Sequence, residues 1–207
     1  MFSSISYIAL LAQLAVVPID HRADAPIPFD TTIAAPLTSN VSLDLEAGGA
    51  VRIVGGDSKV VRVRVTDRGR HCADCVVAVT HGRDGIEVRT ARTHAMNSPA
   101  DLRVQVEVPM QTNVTLTSAG GEIEIEGIDG TVSGTTEFGA LHLFHLSGPL
   151  MIETKRGDVT LRQSYVRGRV HTNDGRVLLE DVGGNVRGTS ARGAVIERRV
   201  ERVPAAP

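Results

Sequence analysis

Cys72-Ala73-Asp74-Cys75 sets two thiols within reach of each other, and these are the only cysteines in the 207 residues. In an exported protein such a pair suits a structural disulfide. With His71 or His81 it offers ligands to zinc, but a closed zinc site takes four and only two thiols exist. A redox-active C-x-x-C opens a helix in an α/β fold, and no helical pattern follows Cys75. A disulfide, or two idle thiols, ranks ahead of both zinc and redox roles.

Other candidates carry less chemistry. His142 and His145 sit in an acidic stretch, three residues apart, and read as surface histidines before a metal pair. No G-x-S-x-G, P-loop, G-x-G-x-x-G or G-G-x-G-x-D occurs, so nucleophile, nucleotide and calcium-repeat chemistry lack a motif. Glu122 and Glu124 alone do not make a glycosidase pair. No catalytic, cofactor-binding or metal residue is assigned.

Charge is unevenly spread. Residues 119–154 hold Glu122, Glu124, Glu126, Asp129, Glu137 and Glu153 and no Lys or Arg, whereas 155–207 are rich in arginine. Arg167, Arg169 and Arg187 gather there. Guanidinium forks suit phosphate and carboxylate, so these three form a candidate patch for an anionic glycan or lipopolysaccharide group. A solvated face, or acidic units of one copy meeting basic units of another, are the competing readings. The net charge of -2 gives no global attraction to nucleic acid or to a membrane.

The elements that must position these residues follow from an internal period. Gly121, Gly139, Gly157, Gly175 and Gly193 are spaced by 18. Three residues before each stands a hydroxyl: Ser118, Thr136, Thr154, Thr172 and Ser190. Aliphatics follow at two and four residues after the glycine, with Glu197 breaking the series. Alternation within a unit is the period of a strand, and a helix would not tolerate this glycine content. Each unit therefore predicts one coil of a parallel β-solenoid or β-helix, with residue n stacked on n+18. The glycine marks a corner whose backbone a side chain disfavours. The hydroxyl beside it bonds backbone groups left free by the turn, or its neighbour in the stack. At five and seventeen residues after the glycine, outward charges alternate in sign (Arg162, Glu180, Arg198; Arg156, Asp174, Arg192), as ladder neighbours should. A second turn signal at Asp129-Gly130, Ser147-Gly148 and Gly183-Gly184 is replaced by Tyr165-Val166 in one unit.

Upstream the period weakens. Residues 1–25 carry an apolar run, Ile5 to Ile19, followed by Ala23-Asp24-Ala25. The run is short for a bilayer span and reads as a cleaved signal peptide with an A-x-A site, ahead of an uncleaved anchor as the rival reading, with no stable transmembrane span expected. Residues 26–102 read as N-terminal strands and a strand-rich cap, with a weak copy of the repeat from Gly49 and two strands around a polar turn at Gly82-Arg83-Asp84-Gly85. Residues 103–200 read as solenoid coils, one continuous all-β domain with 40–102, and 201–207 as a disordered tail.

The [ST]-x-x-G-[DE]-[IV]-x-[IVL] units, the Val51-to-Val65 segment and the strand ending at Pro109 resemble a bacterial putative-adhesin β-solenoid family of unknown function, related to the head domain of auto-transporter adhesins. The resemblance spans about residues 40 to 200. It implies a secreted or surface protein, in the periplasm, outside the cell or on its surface, with no established enzyme activity and no functional residues to carry over. The expectation is a non-catalytic exported solenoid that binds a surface glycan or envelope component. The alternatives are a self-assembling envelope protein and a carbohydrate-active β-helix enzyme. The oligomeric state is left open.

Overall fold

In the computed structural model the described residues are 28–35, 39–67, 75–82, 85–92 and 100–202. Among them the alternating aliphatic pattern forms fifteen strands and no helix. The strands are β1 (Phe29–Ala34), β2 (Asn40–Leu45), β3 (Ala50–Gly56), β4 (Val60–Asp67), β5 (Cys75–Gly82), β6 (Gly85–Arg92), β7 (Leu102–Pro109) and β8 (Asn113–Ser118). They continue as β9 (Ile123–Glu126), β10 (Val132–Phe138), β11 (Leu141–Phe144), β12 (Ser147–Arg156), β13 (Val159–Asp174), β14 (Val177–Ser190) and β15 (Val195–Arg202). β15 thus carries strand structure two residues into the segment expected to be a tail. Residues 1–27, which include the expected signal peptide, and 203–207 lie outside the described residues.

All fifteen strands belong to one large, nearly closed sheet, ordered β1-β4-β7-β3-β9-β11-β13-β12-β10-β8-β2-β6-β5, with β14 and β15 added beside β13. β13 is the hinge of this order. Its first residues pair with β11 and its later ones with β12, so it joins two walls. A large cluster of mostly Val, Leu and Ile from both walls fills the space between them, with Ile53, Ile123, Ile125, Leu143, Ile152 and Leu161 all but sealed from solvent, and a smaller one gathers Ala47, Cys75, Ala100 and Leu102.

The sheet is mixed, which corrects the expectation of a purely parallel solenoid. β1–β4, β4–β7 and β5–β6 are antiparallel. At β5–β6, Gly82 pairs with Gly85, and two intervening residues close a hairpin but cannot make the long crossover that a parallel pair needs. The strands expected to cap one end are continuous with the rest. β3 pairs in parallel with β9, matching Val51 to Ile123 and Ile53 to Ile125, so the weak copy from Gly49 lies directly against the Gly121 unit. β6 and β7 form a further unit beside β2 and β3. Ile86 pairs with Val41 and Val104 with Val51, so the connection from β6 to β7 is eight residues longer than that from β2 to β3. That insertion hid the unit from a search for a fixed period.

From β8 to β15 the parallel pairs keep a step of 18. Ser118 pairs with Thr136, Thr136 with Thr154, Thr154 with Thr172, and Thr172 with Ser190. Leu141, Val159, Val177 and Val195 align likewise. The ladder charges meet as their spacing requires: Arg162 Nε lies 2.9 Å from Glu180, Arg176 Nη2 2.7 Å from Asp158 and Arg192 Nη2 3.0 Å from Asp174. Asp158 also accepts the Arg176 backbone N–H at 2.8 Å, and this bond, then the guanidinium, holds its carboxyl below the usual carboxylate range.

The hydroxyl column is structural. Thr136 Oγ1 donates to the Phe138 carbonyl at 3.1 Å, Thr172 Oγ1 to Gly157 at 3.0 Å, and Ser190 Oγ to Gly175 at 2.7 Å. Thr154 is buried in the same column, but its Oγ1 has no hydrogen-bond partner among the described residues. A buried hydroxyl without a partner forfeits about 1–3 kcal/mol of hydration, while a made bond contributes about 1 kcal/mol. Thr154→Val should therefore raise stability by about 1 kcal/mol and Thr172→Val lower it by a similar amount. Urea unfolding of the two variants checks this, and a loss of stability for Thr154→Val would contradict it.

Candidate functional site

The outward residues of β10, β12, β13 and β14 form the wall on which the candidate arginines fall. Strand alternation puts Tyr165, Arg167, Arg169, His171 and Asn173 of β13 on one outer face, each separated by a residue that is buried or a glycine. Register then fixes their neighbours. Tyr165 lies between Ser147 and Gly183, Arg167 between Pro149 and Asn185, Arg169 between Met151 and Arg187, and His171 between Glu153 and Thr189.

The three arginines are brought together but are not equivalent. Arg169 Nη2 is 2.6 Å from Glu153 Oε1, a diagonal partner on β12. Arg167 and Arg187 have no carboxylate partner among the described residues. Arg187 stands in register beside Arg169, and Glu153 answers only one of the two charges. Like charges side by side on a sheet repel, so this face holds a local positive surplus that a bound anion would relieve.

Toward the corner the face becomes polar and shallow. A depression of about 410 Å3 is lined by Thr117, Thr135, Glu137, Glu153, His171 and Asn173, among others. His171 Nδ1 meets Thr189 Oγ1 and Nε2 meets Asn173 Oδ1, both at 2.9 Å, so the imidazole is tied into the wall. Lys155 pairs with Glu137. On the neighbouring strands Thr115, Thr117, Ser133 and Thr135 continue a hydroxyl-bearing surface, with Ser133 Oγ 3.3 Å from Thr115 Oγ1.

The remaining candidates lie elsewhere. Cys75 opens β5, is buried and carries no free thiol; Cys72 and His71 lie outside the described residues. His81 is at the end of β5. His142 and His145 are on the opposite wall, where His142 Nε2 lies 3.7 Å from Glu122 and His145 Nδ1 3.8 Å from Glu126. No group of three or more possible metal ligands occurs among the described residues. The glycine and hydroxyl columns support the corner of the wall, and Ser118, Thr136 and Thr154 also border the depression.

Sequence reasoning passed over three residues here: Tyr165, Met151 and Asn185. Tyr165 registered only as a departure from a turn pattern, yet it is 61% exposed, and Met151 is 54% exposed. Their signal was present in the repeat, because an outward position is fixed by its offset whatever residue fills it.

No family model matches the chain, and no curated protein matches it. Its fold is similar to a putative cell adhesion protein from Clostridium sporogenes, at a TM-score of 0.44 and 13% identity, covering 83% of this chain and 99% of that one. It is also similar to a putative adhesin from Parabacteroides merdae, at a TM-score of 0.25 and 8% identity, covering 85% and 96%. No helix among the described residues is long and apolar enough to cross a membrane.

Proposed function

We propose that this is a non-catalytic, exported β-solenoid whose outer wall binds an anionic glycan or another envelope component. The observation that carries this is the arginine pair Arg167 and Arg187, held diagonally across β13 and β14 on one outer face and left without carboxylates among the described residues. A rigid wall fixes the strands that carry the guanidinium groups, so little backbone freedom is lost when a repeating anionic chain lies across them. The 18-residue step from β8 to β15 supports the solenoid description, with the antiparallel strands as its terminal edges. The apolar leader and A-x-A site support export to the periplasm, the cell surface or beyond.

Retention on immobilised acidic and neutral polysaccharides tests the reading. The chain should bind the acidic polymers, with affinity falling as salt rises. The triple variant Arg167→Ala, Arg169→Ala, Arg187→Ala should lose at least about tenfold, the scale of a few exposed charge contacts. Equal affinity of wild type and variant would remove the wall from consideration, and cleavage of any polysaccharide offered would overturn the non-catalytic part.

A further inference from the structure

Tyr165 is set apart from the other exposed side chains by what surrounds it. Its ring leans across Gly183 on the next strand. A Cβ built there would come within 2.8 Å of Tyr165 Cδ2 and 3.2 Å of Cε2. On the other side the register neighbour is Ser147. Both flanks are therefore low, and the ring stays open to solvent. Two residues along the same strand stands Arg167, on the same face and about 6.6 Å away by strand geometry, with Asn185 beside it and Arg187 two residues beyond Asn185 on β14. Covering a bare glycine is a structural task an aromatic ring can perform. It does not account for two arginines lacking carboxylate partners next to an open ring.

Resting on the glycan reading above, we propose that Tyr165, Arg167, Asn185 and Arg187 form a subsite for one carboxylated pyranose residue of an acidic polysaccharide. Such a residue has an apolar C–H face, a ring of hydroxyls and one carboxylate. The ring takes the apolar face, the Arg167 guanidinium takes the carboxylate as a fork, and the Asn185 amide is within the same span to bond a hydroxyl. Arg187 receives the carboxylate of the next residue or strengthens the field on the first. A phosphate or sulfate group would use the arginines alone and leave the ring idle. Glu153 on β12 is engaged by Arg169 and Asp181, two residues before Gly183, by Arg199, while Glu201 stands in register one strand beyond Gly183.

The test is calorimetric titration of the full chain with a galacturonic-acid trisaccharide, with its neutral galactose counterpart and with inorganic phosphate. Wild type and Tyr165→Phe should bind the acidic sugar alike and the neutral one weakly. Tyr165→Ala should lose about tenfold for the acidic sugar, the scale of one aromatic contact, with phosphate binding unchanged. Gly183→Ala keeps every charge but pushes the ring off its seat, and it should weaken the acidic sugar without affecting phosphate, which keeps the question answerable if Tyr165→Ala folds poorly. Wild-type affinity for the acidic sugar in both Tyr165→Ala and Gly183→Ala, alongside loss in Arg167→Ala, would overturn the subsite while leaving the anionic wall standing. Failure of wild type to bind any acidic sugar or polymer would overturn both.

Discussion

Gly139→Ala should cost the protein about 3 kcal/mol or more, a large share of the about 5–15 kcal/mol that holds an ordinary domain folded. Two independent causes add. Gly139 has φ of 110°, a backbone that L side chains avoid. An added Cβ would also lie 1.9 Å from the Gly121 carbonyl oxygen and 2.6 Å from its carbonyl carbon. The neighbouring atoms are backbone held by its own ladder, so they cannot yield as a side-chain tip would. The same contact recurs along the column: a Cβ on Gly121 meets the Gly49 oxygen at 1.9 Å, on Gly157 the Gly139 oxygen at 1.9 Å, and on Gly193 the Gly175 oxygen at 1.9 Å. The glycine ladder thus exists because each unit sits on the bare backbone of the one before it. Gly134→Ala is the control. Its Cβ would press on the end of Ile152 at 3.3 Å and touch Leu116 at an ordinary 3.5 Å, without a positive φ, and should change stability by no more than about 1 kcal/mol. Thermal and urea unfolding of the two variants decide the matter, and similar losses for both would refute the close-approach account.

This column was legible in the sequence because one physical cause demands one residue type, and repetition made it visible. The opposite corner shows the reverse case. Gly127, His145, Gln163, Asp181 and Arg199 all hold φ between 48° and 72° at the same 18-residue step, yet no residue type recurs. At the four non-glycine positions a side chain is accommodated, whereas a Cβ on Gly127 would lie 2.9 Å from the Gly55 oxygen; the backbone strain is borne position by position, and Asp181 and Arg199 offset it by pairing with each other. That pairing also holds the Asp181 carboxyl below the usual carboxylate range. A constraint on dihedral angle alone leaves little trace in composition when several side chains can meet it at modest cost.

The same contrast governs the wall. Arg169 and Arg187 could be placed side by side from their numbers, since the step of 18 converts sequence distance into contact. The Arg169–Glu153 pair could not, because it runs diagonally, 16 residues apart. The long-range pairings of β4 and β5, and the unit completed across the longer β6–β7 connection, escaped for a related reason. Their local hairpin chemistry was visible at Gly82 and Gly85, but their long-range partners depend on which edge remained unpaired when the repeat units stacked, and no short window of sequence records that.

Glu197→Leu should convert a single chain into a self-associating one. The position continues the core column: β14 and β15 pair Leu179 with Glu197 and Val177 with Val195, and Leu179 and Val177 are fully buried. β15 pairs only with β14 among the described residues, so one edge of the strand is open and Val195 is already 41% exposed. A carboxylate in the core column, tied to Arg202 Nη2 at 2.5 Å, interrupts the apolar stripe where another copy would otherwise dock. Arg198 and Arg199 bond back to Glu180 and Asp181 and add charge along the same strand. Charges on an edge, especially inward-pointing ones, are how sheets resist edge-to-edge pairing. Leucine would restore a continuous stripe and remove the desolvation cost that keeps a partner away. In sedimentation velocity at tens of micromolar, wild type and Glu197→Gln should run as single chains and Glu197→Leu as dimers or longer assemblies. Long assemblies already formed by wild type would show that the edge is built to join and not to block, and would favour a structural envelope role over the binding wall.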